Sequence, residues 1–570
     1  MRYLSAMHLT RTRFDRRLTG IIGAAVVGGV VLLYAGRHLW FFGDEWDFLL
    51  HRSLGSVNDL LRPHNEHWST LPIVVYRVLF SRFSTSSYFP YFLALVSLHV
   101  ALASVVGILV FRAGAPTLIA ALTAFGVVTF GPGGENLLWS FQIGFTASLL
   151  LGVVAFFLLD VDRRWADLAA SSVLLLALAS SGVGVPVLVA ITGDLVLRRQ
   201  FRRTAVVVAG PAAAYGLWLV SFGATASSKA LDNPLDTFLL LPSYVRTGLS
   251  AAVSGVIGFG TSTGVVAILL LAVLMGAWAF TRGGRIPHVV ASSVLAAVSL
   301  YVASGVTRVT AFGVDQANAS RYVHIGGVLL LLGCGSALFQ SKVWARYGLG
   351  AGRWWLVAMV TVAIVANLAV LRDVARWRND VSADTRSGVL SMAAALEGLH
   401  AGEFFAGARP VPGNPDVDAG ALYSGLEDGS LRFPSRAVEA VASASIEEMR
   451  AFVSVRILAE EPEGEPAHGV LLAVNDVVVT GSPDSCFTVT PIGTDPFVVV
   501  DIGGSGWVSV DVDGAGVLEV FLEVSGEFSP SVALEEVISG PGRRWIEVAG
   551  EERVVRLDPP ESADLTLCTG

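Results

Sequence analysis

Long apolar runs separated by short polar stretches fill the first two-thirds of the chain, and a finer alternation fills the rest. A helix needs about 20 predominantly apolar residues to cross a bilayer. Runs of that character lie at Thr19–Trp40, Tyr88–Phe111, Thr117–Phe130, Phe141–Leu159, Ala166–Ala179, Val185–Leu197, Thr204–Phe222, Val265–Phe280, His288–Ala303, Tyr322–Phe339 and Trp354–Leu371. They predict about 11 spans, some of them short. The first run follows Arg2, Arg11, Arg13, Arg16 and Arg17. It is too long for the apolar core of a signal peptide and has no convincing small-residue cleavage site, so it reads as a retained helix with a cytoplasmic N-terminus. Phe41–Ser87 mixes polar groups with Trp, Phe and Leu, which suits short helices lying in the membrane interface. Leu239–Phe259 is apolar but holds Pro242, Arg246 and several glycines, and reads as re-entrant or interfacial.

The pattern changes at Arg372. The next stretch reads as a helix leaving the membrane, followed by a second helix from Ser435, the expected N-cap, to Phe452. Short alternating runs come after it, among them Phe497–Ile502, Trp507–Asp513 and Val517–Val524, punctuated by Gly, Pro and Asp. Many short strands with turn signals predict a β-sandwich. The expected fold is thus a mainly α polytopic membrane protein with a C-terminal extracytoplasmic β-sandwich-like domain. Its parts are a transmembrane domain (1–371) with an outside loop (41–87), a helical connector (372–452) and a β-rich domain (453–570).

Composition agrees. Of the 570 residues, 53% are hydrophobic and 15% charged, where soluble chains carry roughly 25% charge. This excludes a soluble enzyme, a disordered chain and a nucleic-acid-binding module. The net charge is −8, but residues before Arg372 are net basic and those after it net acidic, which marks a domain boundary. Arg112, Arg163–Arg164, Arg198–Arg203, Thr281–Arg285 and Ser341–Arg346 fall in alternate loops, as the positive-inside rule asks of cytoplasmic ones. An odd number of spans then puts the C-terminal part outside the cell membrane. Cys486 and Cys568 both fall in that part, where one disulfide is permitted; Cys334 lies in an apolar run.

Candidate chemistry concentrates in the outside loops. The first begins Gly43-Asp44-Glu45-Trp46-Asp47, directly after the first span, and continues to His64-Asn65-Glu66-His67-Trp68. Acids at a membrane surface are costly to desolvate without a partner or a task. Asp44 and Asp47 share a face if this segment is helical. Carboxylates with imidazoles suit general-base work or divalent-ion binding, with Asp44, Asp47, His64 and His67 as candidate ligands for Mg or Mn. The plainer reading is an interfacial segment with Trp46 and Trp68 as anchors and the acids in water.

An apolar first helix, an outside loop opening on an acidic pair, interfacial helices and many spans together resemble the GT-C class of membrane glycosyltransferases. The resemblance covers residues 1–371, and its acidic pair is a short motif. The oligosaccharyltransferase signature WWDYG is absent, since Trp354-Trp355 is followed by Leu356. Two lysines, Lys229 and Lys342, among many arginines fit GC-rich coding of the actinobacterial kind. The resemblance implies a polyprenyl-phosphate sugar donor and a glycan, glycolipid or protein acceptor of the cell envelope. It implies that an acid of this loop is the catalytic base or helps bind the acceptor, a position that falls on Asp44 with Glu45 as its neighbour.

The leaving lipid phosphate needs a cation, and Arg binds phosphate in a bidentate fork. Arg321, with Tyr322 and His324, stands at the expected outer mouth of a span; the plainer reading is a snorkelling Arg beside an interfacial Tyr. A third cluster follows the Gly131-Pro132-Gly133-Gly134 break: Glu135, Asn136 and Gln142 as sugar-hydroxyl partners and Trp139 as a stacking face, or simply a tight loop with capping groups. Glu66 completes the binding candidates. Ionisable groups within the spans are few, His99 among them, which speaks against an ion-coupled transporter. Two other classes compete: a flippase for lipid-linked glycans or polysaccharide exporter, and a non-catalytic envelope assembly subunit.

Overall fold

The computed structural model describes residues 11–568 apart from 162, 226–232, 259–287, 341–343, 345–349, 412, 463–465, 482–485, 493–495, 504, 525–526, 539–540, 550–552 and 561–562. By compactness the chain divides into two units, Met1–Leu39 with Arg52–Arg82 and Ser87–Val381, and Trp40–His51 with Phe83–Ser86 and Ser382–Gly570.

The first unit is a helical bundle. Its helices are α1 (Arg11–Ala35), then, after α2 (Glu45–Leu50) of the second unit, α3 (Val57–Leu61), α4 (Thr70–Phe83), α5 (Phe89–Arg112), α6 (Thr117–Val128), α7 (Gly134–Leu138) and α8 (Ile143–Leu159). There follow α9 (Arg164–Leu178), α10 (Gly184–Leu197), α11 (Phe201–Ser221), α12 (Pro234–Ile257), α13 (His288–Phe312), α14 (Ser320–Phe339) and α15 (Ala351–Leu396), which continues into the second unit. Among the described residues, eight helices are long and apolar enough to cross a membrane, and the chain is a multi-pass membrane protein. The sequence predicted about 11 spans. Two of those, α9 and α10, are helices of only 15 and 14 residues. A third, Val265–Phe280, lies outside the described residues.

Lateral packing sorts the faces of α1. Ile21, Ala25 and Leu32 are buried against α5 and α6, while Val26, Val27 and Val30 on the other side are exposed. Spacings of four and seven residues put the first set on one stripe, and exposed aliphatic side chains suit lipid. Leu239–Phe259 corrects the re-entrant reading: through Ile257 it is continuous helix, with Pro242 inside it, packed on α13 and α14 through Tyr244, Gly248 and Ser250–Gly255. The small residues permit that close packing, which a loop would lack.

In the second unit, the helix expected from Ser435 to Phe452 is two helices, after α16 (Ala419–Glu427): α17 (Ser435–Glu439) and α18 (Ser443–Ser454). Pro434, not Ser435, stands at the first N-cap, where its fixed φ of −60° directs the entering chain. Among the described residues eleven strands follow: β1 (Val455–Leu458), β2 (His468–Asn475), β3 (Val477–Gly481), β4 (Cys486–Pro491), β5 (Phe497–Gly503), β6 (Gly506–Val512), β7 (Gly516–Val524), β8 (Glu527–Ile538), β9 (Gly542–Val548), β10 (Arg553–Asp558) and β11 (Leu565–Cys568), in two antiparallel sheets ordered β1-β9-β6-β11-β4-β3 and β2-β5-β10-β7-β8. One core joins their inner faces: Val508, Val510 and Leu567 from the first sheet, Val498, Val500, Val520 and Leu557 from the second. Side chains of period two alternate across each sheet, which is why these positions recur every second residue.

Cys486 of β4 and Cys568 of β11 sit directly opposite in register and form a disulfide closing 82 residues of sequence separation. In denatured, unreduced protein a maleimide should therefore label Cys334 alone, with two more labels after reduction. Three labels without reductant would refute the pairing.

Candidate functional site

Two arginines are brought to the same end of the bundle by one short connection. Arg308 lies near the C-terminus of α13 and Arg321 at the start of α14, with a 3-10 turn, Val314–Asn318, between them. Arg308 Nη2 donates to Glu66 Oε2 at 2.8 Å, and Arg321 Nη1 donates to Glu135 Oε1 at 3.1 Å. All four charged groups act electrostatically on Tyr322, so the two ion pairs form one cluster. The Arg321 guanidinium also stands over the Tyr322 ring, 5.5 Å from its centroid. On the inner side, Tyr301 Oη donates to the Tyr322 carbonyl at 3.2 Å. Both members of the Arg321–Glu135 pair are about one-fifth exposed, at 22% and 23%.

Glu135 arrives through the glycine run. The backbone passes so near α14 that a Cβ at Gly133 would stand 2.7 Å from the His324 Cβ, inside van der Waals contact. Only glycine permits that approach. It delivers Asn136 into the bundle, where its amide nitrogen donates to the Arg321 carbonyl at 2.9 Å and pairs with His324 Nδ1 at 3.2 Å. The Asn136 carbonyl in turn meets His99 Nε2 of α5 at 2.8 Å.

These contacts assign the tautomers. A carbonyl only accepts, so His99 carries its hydrogen on Nε2; His324 Nδ1 accepts from an amide, so its hydrogen is on Nε2. The rings meet edge-on with centroids 5.3 Å apart. Among the described residues Asn136 Oδ1, Gln142 Oε1, His99 Nδ1 and His324 Nε2 have no hydrogen-bond partner, and all four side chains are fully buried. Each such atom costs about 1–3 kcal/mol relative to a paired one. Three acceptors and one donor are therefore held beneath the Arg321–Glu135 pair, a set suited to neutral polar groups such as hydroxyls. Trp139 does not serve as a stacking face: it is buried, 5.0 Å from Phe141 and 4.9 Å from the Arg378 guanidinium.

The histidine loop is a tight turn. His64 and His67 exchange backbone hydrogen bonds at 3.1 and 3.0 Å, with Asn65 at φ 49° between them. The turn directs Glu66 to Arg308 and packs the imidazoles on aromatic rings, His64 on Phe141 at 5.0 Å and His67 on Phe145 at 5.2 Å. Trp68 stacks on Trp218 at 5.5 Å. Among the described residues no three His, Cys, Asp or Glu side chains are grouped to hold a metal ion. Of the four candidate ligands, Asp44 and Asp47 lie in the second unit and His64 and His67 in the first.

The acidic segment Asp44–Asp47 belongs to the second unit. Gly43 has φ 59°, a left-handed turn natural to glycine, and Asp44 is the half-exposed N-cap of α2. Glu45 is fully buried, and its Oε2 accepts from the Phe42 N–H at 2.8 Å, closing its own turn. Asp47 is buried as well, and Trp46 is core, 5.6 Å from Trp40. Sequence reasoning passed over His51, Asn414 and Asp418, which hold this segment. Partners more than 360 residues apart leave no local pattern.

No family model matches the chain, and no curated protein matches it. Among solved structures it is similar to ArnT from Cupriavidus metallidurans, crystallised with undecaprenyl phosphate: 13% identity over 77% of this chain and 92% of that one, with a TM-score of 0.42. A likeness of that extent decides neither the fold family nor the reaction.

The cluster predicts an order of stabilities. Glu135→Gln removes a part-exposed ion pair and should change stability by under about 1 kcal/mol. Asn136→Leu strands the Arg321 carbonyl and His324 Nδ1 and should cost about 1–3 kcal/mol for each group left unpaired. Unfolding in detergent, followed by denaturant or heat, ranks the two variants.

Proposed function

We propose that this chain is a membrane glycosyltransferase of the GT-C kind, moving a sugar from a polyprenyl-phosphate donor to a cell-envelope glycan, glycolipid or protein on the extracytoplasmic side. The observation that carries the reading is the make-up of α14. Its first turn bears Arg321 in the charged cluster. Further along, Gly327, Val328 and Leu331 line an apolar cleft of about 110 Å³ with Leu122, Val127 and Phe130. Arg321 and Gly327 are six residues apart, about 9 Å along a helix. An anion site above an apolar cleft suits a lipid phosphate with a prenyl tail. The buried acceptors and donor around Asn136 suit sugar hydroxyls.

In the proposed reaction the acceptor oxygen bonds to the anomeric carbon as the bond from that carbon to the phosphate oxygen breaks. The hydroxyl proton passes to Asp44, and the electron pair leaves with the polyprenyl phosphate. Asp44 is assigned the base role because it is the first acid after the first span, and because a carboxylate within reach of a hydroxyl can take its proton. Arg321 is assigned to the phosphate, where a charge-assisted bond grows as negative charge develops. The disulfide of the β-domain fits an oxidising, extracytoplasmic setting.

Arg321→Ala should weaken polyprenyl-phosphate binding by about 10- to 100-fold, the worth of a bond to a charged group. Arg321→Lys should restore it only in part, since a point charge lacks the fork. Titration of polyprenyl phosphate into nanodisc-embedded protein reads this out; unchanged affinity in both variants removes the phosphate site from Arg321.

Asp44→Asn should lower turnover by about 10²–10⁴ while donor binding is kept. The assay is release of polyprenyl phosphate from a panel of polyprenyl-phosphate pentoses and hexoses. Wild-type turnover in this variant removes Asp44 from the base role, and movement of the lipid-linked sugar across the bilayer without transfer would favour the exporter reading.

A further inference from the structure

The segment that carries Asp44 is too short to orient itself. Helix α2 has six residues, under two turns, and isolated helices below about 12–15 residues are marginal in water. Its burial supplies part of what fixes it: Phe41, Trp46, Phe48 and Leu49 are all but fully buried, and Trp40 lies 6.4 Å from Phe433. Apolar contact is not directional, however, and leaves rotation about the segment axis weakly set. Polar contacts at its two ends supply direction.

At the start of the segment, the Gly43 N–H donates to Asn414 Oδ1 at 2.7 Å. Asn414 is fully buried, and its amide nitrogen donates to Thr385 Oγ1 at 3.3 Å, so its acceptor is aimed. At the end, His51 caps α2 with its N–H on the Asp47 carbonyl, and its ring reaches the strip after Asn414. Nε2 stands 3.0 Å from the Asp416 carbonyl and 3.2 Å from Asp418 Oδ2. Facing a carbonyl, Nε2 must carry the hydrogen. Asp418 is itself fixed, because its Oδ1 caps α16 through the Ala421 N–H at 2.8 Å.

We propose that His51 and Asn414 are positioning residues that clamp the two ends of the Asp44 segment and so fix the direction of the Asp44 carboxylate. This rests on the reading of Asp44 as the base. The clamp is charge-assisted when His51 is protonated. Among the charged groups acting on His51 are Asp418 and, within α2, Asp47; Arg409 acts on Asp418. The bond to Asp418 holds the imidazole above its ordinary value against burial, aided by the Asp416 carbonyl. Burial pushes the Asp418 carboxyl up, but the bonds from His51 and Ala421 outweigh it and hold it below the usual range. The charged clamp is therefore whole between these two values. It weakens as pH rises through that of His51, and also as pH falls through that of Asp418.

The full chain in nanodiscs tests this with His51→Ala and His51→Gln, whose amide places a neutral donor near the Nε2 position. His51→Ala should lower kcat by about 10- to 100-fold, the usual effect of small misplacement, while polyprenyl-phosphate affinity is kept. His51→Gln should recover most of the turnover at neutral pH and lose the alkaline inflection of the wild-type profile. In an Asp44→Asn background, His51→Ala should add little, because both changes remove one function. Hydrogen exchange gives a readout free of the chemistry: amides of 42–51 should lose protection in His51→Ala and regain it in His51→Gln. Wild-type protection and kcat in His51→Ala would overturn the clamp even where Asp44→Asn is inactive. A full additional loss from His51→Ala in the Asp44→Asn background would overturn it too. Wild-type turnover in Asp44→Asn would instead overturn the base.

Discussion

Asn136 ties together three stretches of chain that the bundle brings from far apart. Its carbonyl meets His99 on α5, its amide holds the Arg321 carbonyl, and the same amide turns the His324 ring. Polar groups in a low-dielectric interior gain most when paired and lose most when stranded. Asn136 therefore fixes where α7 stands against α14, and with it where Glu135 meets Arg321. The glycine run is a consequence of the same constraint: any Cβ at Gly133 would push His324 away. Asn136 Oδ1, Gln142 Oε1, His99 Nδ1 and His324 Nε2 remain without a hydrogen-bond partner among the described residues, a costly arrangement that a function would explain.

The charged cluster is built from helix ends, and this has a physical reason. Arginine at the centre of a span is expensive, whereas at its mouth the stem packs along the helix and the head reaches polar surroundings. Arg308 and Arg321 satisfy that requirement on either side of one connection, and each takes a carboxylate from a different segment, Glu66 from the histidine turn and Glu135 from α7. An anionic ligand at this place would compete with Glu66 and Glu135 for the same forks. The Asp44 segment is organised on other terms: a buried carboxylate at Glu45, a half-exposed one at Asp44, and contacts from Asn414 and His51 at the two ends.

Much of the fold was legible because its signals are local. The apolar runs gave most helices within a few residues, and the alternation after Phe452 gave a sandwich whose core repeats every second position. The departures have identifiable causes. Pro242 and Arg246 suggested a broken segment, but small residues on one face let α12 pack as a continuous helix. The segment after Ser435 has helical composition throughout, yet it turns between Glu439 and Ser443. At the site, Arg321, Glu135, Asn136 and His324 were visible as polar residues in apolar surroundings, while their pairing was not.

Sequence alone determined what bilayer and sheet physics make periodic: a chain that crosses the membrane repeatedly, a basic part followed by an acidic one, and a β-rich end with two cysteines able to pair. It also picked out the polar residues that are costly at a membrane unless they have partners. Tertiary structure decided which partners they take. His64 and His67 pack on aromatic rings, Trp139 is packed under Arg378, and Glu45 is bound to its own turn. Asn414 and Asp418 hold the segment bearing Asp44 across more than 360 residues. Periodicity reports the face a residue presents; the atom it meets is set by long-range packing, which no window of sequence contains.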